Sequence, residues 1–482
     1  MRRISVLWMG AALLLALVFA FGLPTGVVAQ NNNNNNNNNN NDSNNSDSND
    51  DSDSDVATGA GIRISPEGLL SVRTREDFTG ALRQQRVQAA KVRLGSDVAT
   101  PSRSRNISLN RLEAELEKSG GIPTEEMRYL AGLIRVRNVY FYPESNDIVI
   151  AGPAEGWITT PQGNVVGIQS NQPVCRLDDL VTALRCYSPS GERTSVIGCS
   201  IDPTPEGLVQ MQEFVKSVNY QPGMERQIAE GQRQSLGLQK VTVDGVASDT
   251  HFAQVMVEAD YRMKLIGLGL EPQDVGITTF IEKAAGARAA TNALFRWWFV
   301  PNYDCVRVSE DGLAAELIGD GLRLSGADEA VIGAGERQSA GENRIHPASR
   351  AFVNSFTQKY PQLAASAPIY AELRNIVDMT IVAALVQKNG YYEKSGWKMG
   401  FFGDETKFRC ENSASPQWVE PVVQPIVRKN TLRVPIAGGV TIQPEEAVSD
   451  ANLKLDESGR VAQMYSDARP ELAEGQWWWD NE

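Results

Sequence analysis

Histidine is almost missing from this 482-residue chain: only His251 and His346 occur, 95 positions apart. Neither lies in a His-Glu-x-x-His spacing, which would set two imidazoles on one helical face around zinc. A histidine metal site would therefore need both residues from distant places, with carboxylates added, and each is read instead as a cap or surface residue. Basic clusters are lacking too. The formal net charge is −13, and nucleic-acid affinity rests on Lys and Arg neutralising phosphates, so DNA and RNA are poor partners. No Gly-x-Ser-x-Gly elbow, cysteine-nucleophile signature, Walker loop or Rossmann glycine fingerprint is present. Gly286, Gly319, Gly333 and Gly335 are scattered. The sequence thus implies no cofactor and no metal, and it names no reaction.

What is there begins with a leader. Arg2 and Arg3 precede an apolar run from Ile4 to Leu23, Pro24 breaks it, and Val27 and Ala29 supply the small residues of a signal-peptidase site. Residues 1–29 are expected to be a Sec signal peptide cleaved before Gln30, which makes the mature protein periplasmic, envelope-associated or secreted. An uncleaved anchor is the alternative, and it is the one membrane contact expected, because the run is about long enough to span a bilayer. Twin-arginine export is disfavoured by the strong hydrophobicity of the run, and no cysteine follows it to carry a lipid.

Eleven consecutive asparagines and an Asp/Ser/Asn mixture follow. With almost no apolar side chain, residues 30–60 cannot offset the entropy of ordering and are expected to be a disordered tether. Calcium binding by its Asp-Ser-Asp repeats lacks the glycine turn and distal Glu of a calcium loop. Loss of the two leader arginines takes the net charge from −13 to −15, and six tether aspartates hold six of those charges, leaving about −9 on the body.

The body is expected to be α+β, with short antiparallel strands and amphipathic helices arranged as domains over 61–237 and 238–435 and an extended C-terminal tail over 436–482. Alternation marks Ile62 to Leu70 as a hairpin, and Arg135 to Tyr142 with Asp147 to Gly152 as strands joined by Pro143-Glu144-Ser145-Asn146. A second hairpin follows at Trp157 to Ile168. Thr204 and Pro205 open a helix. Gln221 to Gly237, rich in Gln, Glu, Arg and Gly, is read either as the domain boundary or as a solvated helix. Helical periods run from Asp249 to Leu270 and from Pro368 to Gln387, the second carrying Tyr370, Leu373, Val377, Ile381, Ala384 and Leu385 on its stripe.

Phe252 to Lys264, followed by Arg296-Trp297-Trp298-Phe299-Val300-Pro301 and Ser309-Glu310-Asp311-Gly312, resembles an uncharacterised family of exported planctomycete proteins over roughly Leu109 to Asn389. The resemblance implies export and a shared architecture; it supplies no activity.

Chemistry alone nominates a few residues. Glu258 and Arg262 are four apart on one helix, as are Asp260 and Lys264, which is the spacing of ion pairs on a solvated helix. The sharper readings make Asp260 a buried brace, or Asp260 and Glu258 general acid/base groups. Trp157, Trp297, Trp298, Trp397 and Trp418 are read as packing residues, with sugar platforms as the alternative; adjacent Trp297 and Trp298 should face opposite sides of a strand. Trp477, Trp478 and Trp479 have no periodic element to bury them, so they should dock on this chain or on a partner. In an oxidising compartment, one or two disulfides are expected among Cys175, Cys186, Cys199, Cys305 and Cys410, with Cys175 joined to Cys186 or Cys199, or Cys305 joined to Cys410. The resulting expectation is an exported, non-catalytic envelope or interaction protein whose partner is an envelope protein or glycan. The alternative is a secreted hydrolase using paired carboxylates.

Overall fold

The computed structural model describes residues 81–160, 163–284, 293–332, 345–413, 436–470 and 472–481, with shorter stretches between 56 and 72, at 336–339 and between 416 and 433. The leader, nearly all of the Asn/Asp segment, and Gly286, Gly333 and Gly335 lie outside the described residues. The fold is α+β, as the mixed periodicities imply.

Strand β1 (Ser102–Ser108) runs directly into helix α1 (Leu109–Lys118), whose cap is the Ser108 hydroxyl accepting the Arg111 amide. β2 (Asn138–Tyr142) and β3 (Asp147–Ala154) pair across the expected turn, where Asn146 takes φ 59°. Then come α2 (Leu177–Arg185), β4 (Ile197–Asp202) and α3 (Pro205–Ser217), the last with Thr204 accepting from the Gly207 amide and Pro205 in its first turn. α4 (Glu225–Leu236) occupies the Gln/Glu/Arg stretch as a helix that buries Ile228, Gln232 and Leu236. β5 (Gln239–Asp244), α5 (His251–Gly267), β6 (Ala293–Pro301), β7 (Ala314–Leu317), β8 (Leu322–Ile332), α6 (Pro347–Ser366), α7 (Pro368–Lys388), β9 (Ile436–Ile442) and β10 (Trp478–Asp480) complete the main elements.

Two sheets organise them. In the first, the order runs from three short strands between Val56 and Val72 through Trp418–Val419 to β5, β4, β9, β6, β8 and Glu336–Ser339. In the second it runs Lys454–Leu455, Val306–Val308, β7, β2, β3, β1, β10. These orders bring together strands from both sides of the expected boundary at Gly237. β4 and β5 lie on either side of Gly237 yet pair antiparallel over five residue pairs, and the other neighbour of β4 is β9, from the supposed tail. Ser54–Glu482 is one compact unit. A local loss of apolar residues at 221–237 marks an exposed helix rather than a linker, because strand partners come from far along the chain and leave no local composition signal.

α5 lies against β4 and β9, and α7 packs on α5, α2 and α6. α7 is buried on nearly every side, which is why its apolar stripe widens to an almost continuous run. The approach of α5 to the sheet depends on Gly438 in β9: a Cβ there would sit 2.2 Å from Asp260 Oδ1 and 2.4 Å from Lys264 Cε. Along β6, alternation sends Phe295, Trp297 and Phe299 into the core, where Trp297 meets Phe352 of α6 at 4.5 Å between ring centroids and Phe299 meets Phe356 at 5.6 Å.

Candidate functional site

The same alternation turns Arg296 and Trp298 to the opposite face of the first sheet. There Ser325, Gly326, Ala327 and Glu329 from β8, Gly439 and Thr441 from β9, and the backbone of Cys199 from β4 complete the lining of a cleft of about 510 Å³. Gly439 lies beside Trp298 on the neighbouring strand and, having no side chain, leaves a trough next to the indole. Arg296 is the hub of the polar groups: its Nη1 donates to Asp202 Oδ1 at 3.0 Å and lies 3.9 Å from Glu329 Oε1. Two carboxylates therefore converge on one guanidinium nitrogen. Trp298 is half-buried, and its exposed edge, the Arg296 fork and the Ser325 and Thr441 hydroxyls together offer one apolar face and several hydrogen-bonding groups. That combination suits a polar, ring-shaped ligand.

On the covered face of the sheet the nominated acids are sealed. Glu258, Asp260 and Lys264 are each 0 % exposed, which overturns the solvated-helix expectation, because α5 is walled by β4 and β9 on one side and α7 on the other. Asp260 Oδ2 sits 3.1 Å from Lys264 Nζ, the buried brace. Glu258 lies 3.2 Å from Arg262, which in turn holds Glu271 at 2.8 Å. Burial pushes the Asp260 carboxyl up to about 6 against the pull of Lys264, and burial holds Glu258 well above the usual carboxylate range despite Arg262. A raised pKa is a mark of many catalytic acids. Here each acid is tied to a base one helical turn away and is wholly buried, so the arrangement braces the core.

His251 and Asp179, 72 positions apart, form a pair that sequence periodicity does not reveal. His251 Nδ1 lies 2.9 Å from Asp179 Oδ2, both residues are buried, and Nε2 finds no partner among the described residues. Beside them, burial and the Asp179 charge raise Asp178 to about 6. His346 does cap a helix, its Nδ1 accepting from the Ala348 amide at 3.2 Å. Among the described residues no group of three or more His, Cys, Asp or Glu is arranged to hold a metal ion, and no helix is long and apolar enough to cross a membrane.

The tryptophan tail docks on its own chain. β10 pairs antiparallel with β1, placing Trp478 opposite Ile107, Trp479 opposite Asn106 and Asp480 opposite Arg105. Trp477 enters the core, Trp478 lies over the Arg105 guanidinium at 4.5 Å, and Trp479 packs on the cluster around Tyr140 and Tyr142. Arg105 is wholly buried; it donates to both Asp480 oxygens, at 2.9 and 2.8 Å, and to the carbonyls of Val98, Ala131, Asp97 and Thr100. The indoles therefore have an intramolecular reason to be where they are. Of the other tryptophans, Trp157, Trp297 and Trp397 are buried, while Trp298 and Trp418 keep some exposure.

The expected disulfides are absent: Cys175, Cys186, Cys199, Cys305 and Cys410 are all free thiols. Two of the sulfurs are held in hydrogen bonds and the others lie buried on separate segments. Cys186 donates to the Thr182 carbonyl at 3.3 Å, Cys410 lies near Arg185 and Asp178, and Cys199 sits in β4 facing the Asp260–Lys264 pair. Burial raises every one of these thiols, which keeps them protonated and unreactive.

A family model described as "Protein of unknown function (DUF1598)" matches residues 199–280, the block from β4 through α5 that carries the Asp260–Lys264 brace and one wall of the cleft. This is consistent with an uncharacterised family over a shorter span than the resemblance read from the sequence. No curated protein and no solved structure matches the chain.

Proposed function

We propose that this is an exported, non-catalytic binding protein of the cell envelope, and that the cleft over β4, β9, β6 and β8 takes an envelope glycan. The observation that carries this reading is the side-by-side placement of a half-buried Trp298 and the Arg296 fork above the Gly439 trough. Sugar rings stack their apolar faces on indoles and offer hydroxyl pairs to guanidinium and carboxylate groups. Export rests on the basic, apolar leader with its Val27 and Ala29 positions. One observation favours the second reading, a hydrolase using paired carboxylates: Asp202 and Glu329 approach the same nitrogen of Arg296. Against it, that guanidinium fills the space between them, where a glycosidic oxygen and a water would have to sit.

The test is calorimetric titration of the purified protein with cell-wall and exopolysaccharide oligosaccharides, each also assayed for cleavage. Binding without turnover is expected, weakened about tenfold or more by Trp298→Ala. Turnover abolished by Asp202→Asn or Glu329→Gln would replace the binding reading with the hydrolase. No binding by the unaltered protein would remove the cleft as a glycan site.

A further inference from the structure

A second polar cluster lies away from the cleft, where the segment leading into β2 meets α7 and the turn between β7 and β8. Arg135 and Arg137 are two residues apart before β2; Arg374 and Asp378 are one turn apart on α7. Arg135 and Arg374 meet at the Gly319-Asp320-Gly321 turn, with Asp378 on Arg135 and Arg137 close enough to feel the charges of all three. Arg135 Nη1 donates to the Gly319 carbonyl at 3.3 Å. Gly321, at φ +87°, lies so close that a Cβ there would meet Arg374 Cγ at 2.9 Å and Arg135 Nη2 at 3.5 Å.

The charges do not balance. Asp378 is spent on Arg135, whose Nε donates to Oδ2 at 2.5 Å and whose Nη2 donates to Oδ1 at 3.3 Å. Glu316, the other acid within reach of Arg137, already holds Arg307 at 3.3 Å and Arg460 at 2.9 Å. Asp320 sits exposed on the turn. Arg137 and Arg374 have no ion-pair or side-chain hydrogen-bond partner among the described residues, and the Arg374 Nε is buried without an acceptor. Burial, reinforced by the neighbouring Arg135 charge, pushes Arg137 down to about 10 and lowers Arg374 as well. Two half-buried cations facing a third are unfavourable without a counter-ion.

We infer that Arg137 and Arg374, backed by Arg135, bind a dianionic oxyanion: inorganic phosphate or sulfate, or the same group carried on a larger molecule. The charge matches, two uncompensated cations to one dianion, and guanidinium forks present paired N–H donors at the spacing of phosphate and sulfate oxygens. This site stands independently of the glycan reading of the cleft.

The experiment is thermal unfolding and calorimetric titration of the full chain in phosphate, in sulfate and in glucose 6-phosphate, each against chloride at matched ionic strength. The midpoint should rise with the logarithm of oxyanion concentration and not with chloride. Arg137→Gln and Arg374→Gln should each weaken oxyanion binding roughly ten- to a hundredfold. In chloride alone the same variants should unfold at a higher temperature than the parent, because a repulsion has been removed; a purely packing role predicts the opposite. Arg137→Lys, which keeps the charge and loses the fork, should fall between. Tighter binding of the sugar phosphate than of inorganic phosphate assigns the anion to a larger ligand, and equal or weaker binding assigns it to the free ion. The inference is overturned if the parent shows no oxyanion-specific rise, or if the glutamine variants keep its affinity.

Discussion

Breaking the Asp260–Lys264 pair tests whether α5 is braced as its burial implies. Both side chains are 0 % exposed and lie 3.1 Å apart over Gly438. Removing one partner strands a charge where neither water nor another base reaches it, so Asp260→Asn and Lys264→Met should each cost about 3–5 kcal/mol of unfolding free energy. The double variant leaves no stranded charge and should return to within about 1–2 kcal/mol of the parent, giving a coupling of several kcal/mol in a double-mutant cycle. Equilibrium urea unfolding, followed by tryptophan fluorescence and far-ultraviolet circular dichroism together, measures all four proteins. Proton linkage adds a second signature. The folded-state pKa of Asp260 is raised from 3.8 to about 6, so its contribution to stability is fully present below about pH 4 and is lost as pH rises through 6. That is about 3 kcal/mol across the window. The parent should therefore lose stability relative to the double variant between those values. Single variants costing under about 1 kcal/mol, or a double variant as unstable as the sum of the singles, would refute the brace.

Gly438→Ala forces a Cβ to within 2.2 Å of Asp260 Oδ1; it should lower stability by about 2–4 kcal/mol, read as a fall in urea midpoint, and Gly438→Ala in the double variant should be milder. Asp480→Asn weakens the clamp on wholly buried Arg105 and should cost about 1–3 kcal/mol, while a chain ending at Gly475 should in addition lose hydrogen-exchange protection along β1, which no longer has β10 to bond. Unchanged exchange at residues 105–107 in the truncated chain would show that the pairing is dispensable.

Much of the architecture is legible in the chain because it is written at short range. The β2–β3 hairpin is declared by alternation on either side of Pro143 to Asn146, and α7 by the period of Tyr370, Leu373, Val377 and Ile381. The Thr204-Pro205 start of α3 is a local hydrogen-bonding solution that any fold would use. What is hidden is whatever depends on which strand meets which. Nothing around Gly237 says that β4 and β5 will pair, and nothing near 436 says that two glycines there will form the centre of a sheet. The spacing of Glu258, Asp260, Arg262 and Lys264 fits a solvated helix and a buried one equally well, since i, i+4 pairing is the same in both; only the burial of α5 decides. Trp298 is separable from Trp297 by strand alternation, yet the partners of the adjacent Arg296, Asp202 and Glu329, come from two other strands. The cluster of Arg135, Arg137 and Arg374 escapes any scan for basic runs because it assembles from residues more than 230 positions apart.

The place of β9 bears on how this chain comes to exist. Residues 436–442 slot between β4 at 197–202 and β6 at 293–301, so the two halves of the first sheet cannot meet until residue 442 has been made. Up to that moment each half presents an unpaired inner edge, β4 on one side and β6 on the other, apolar on the face meant for α5. A growing chain in that condition is slow to finish and prone to stick to its neighbours. Closure of the first sheet therefore waits on the strand that ends at residue 442.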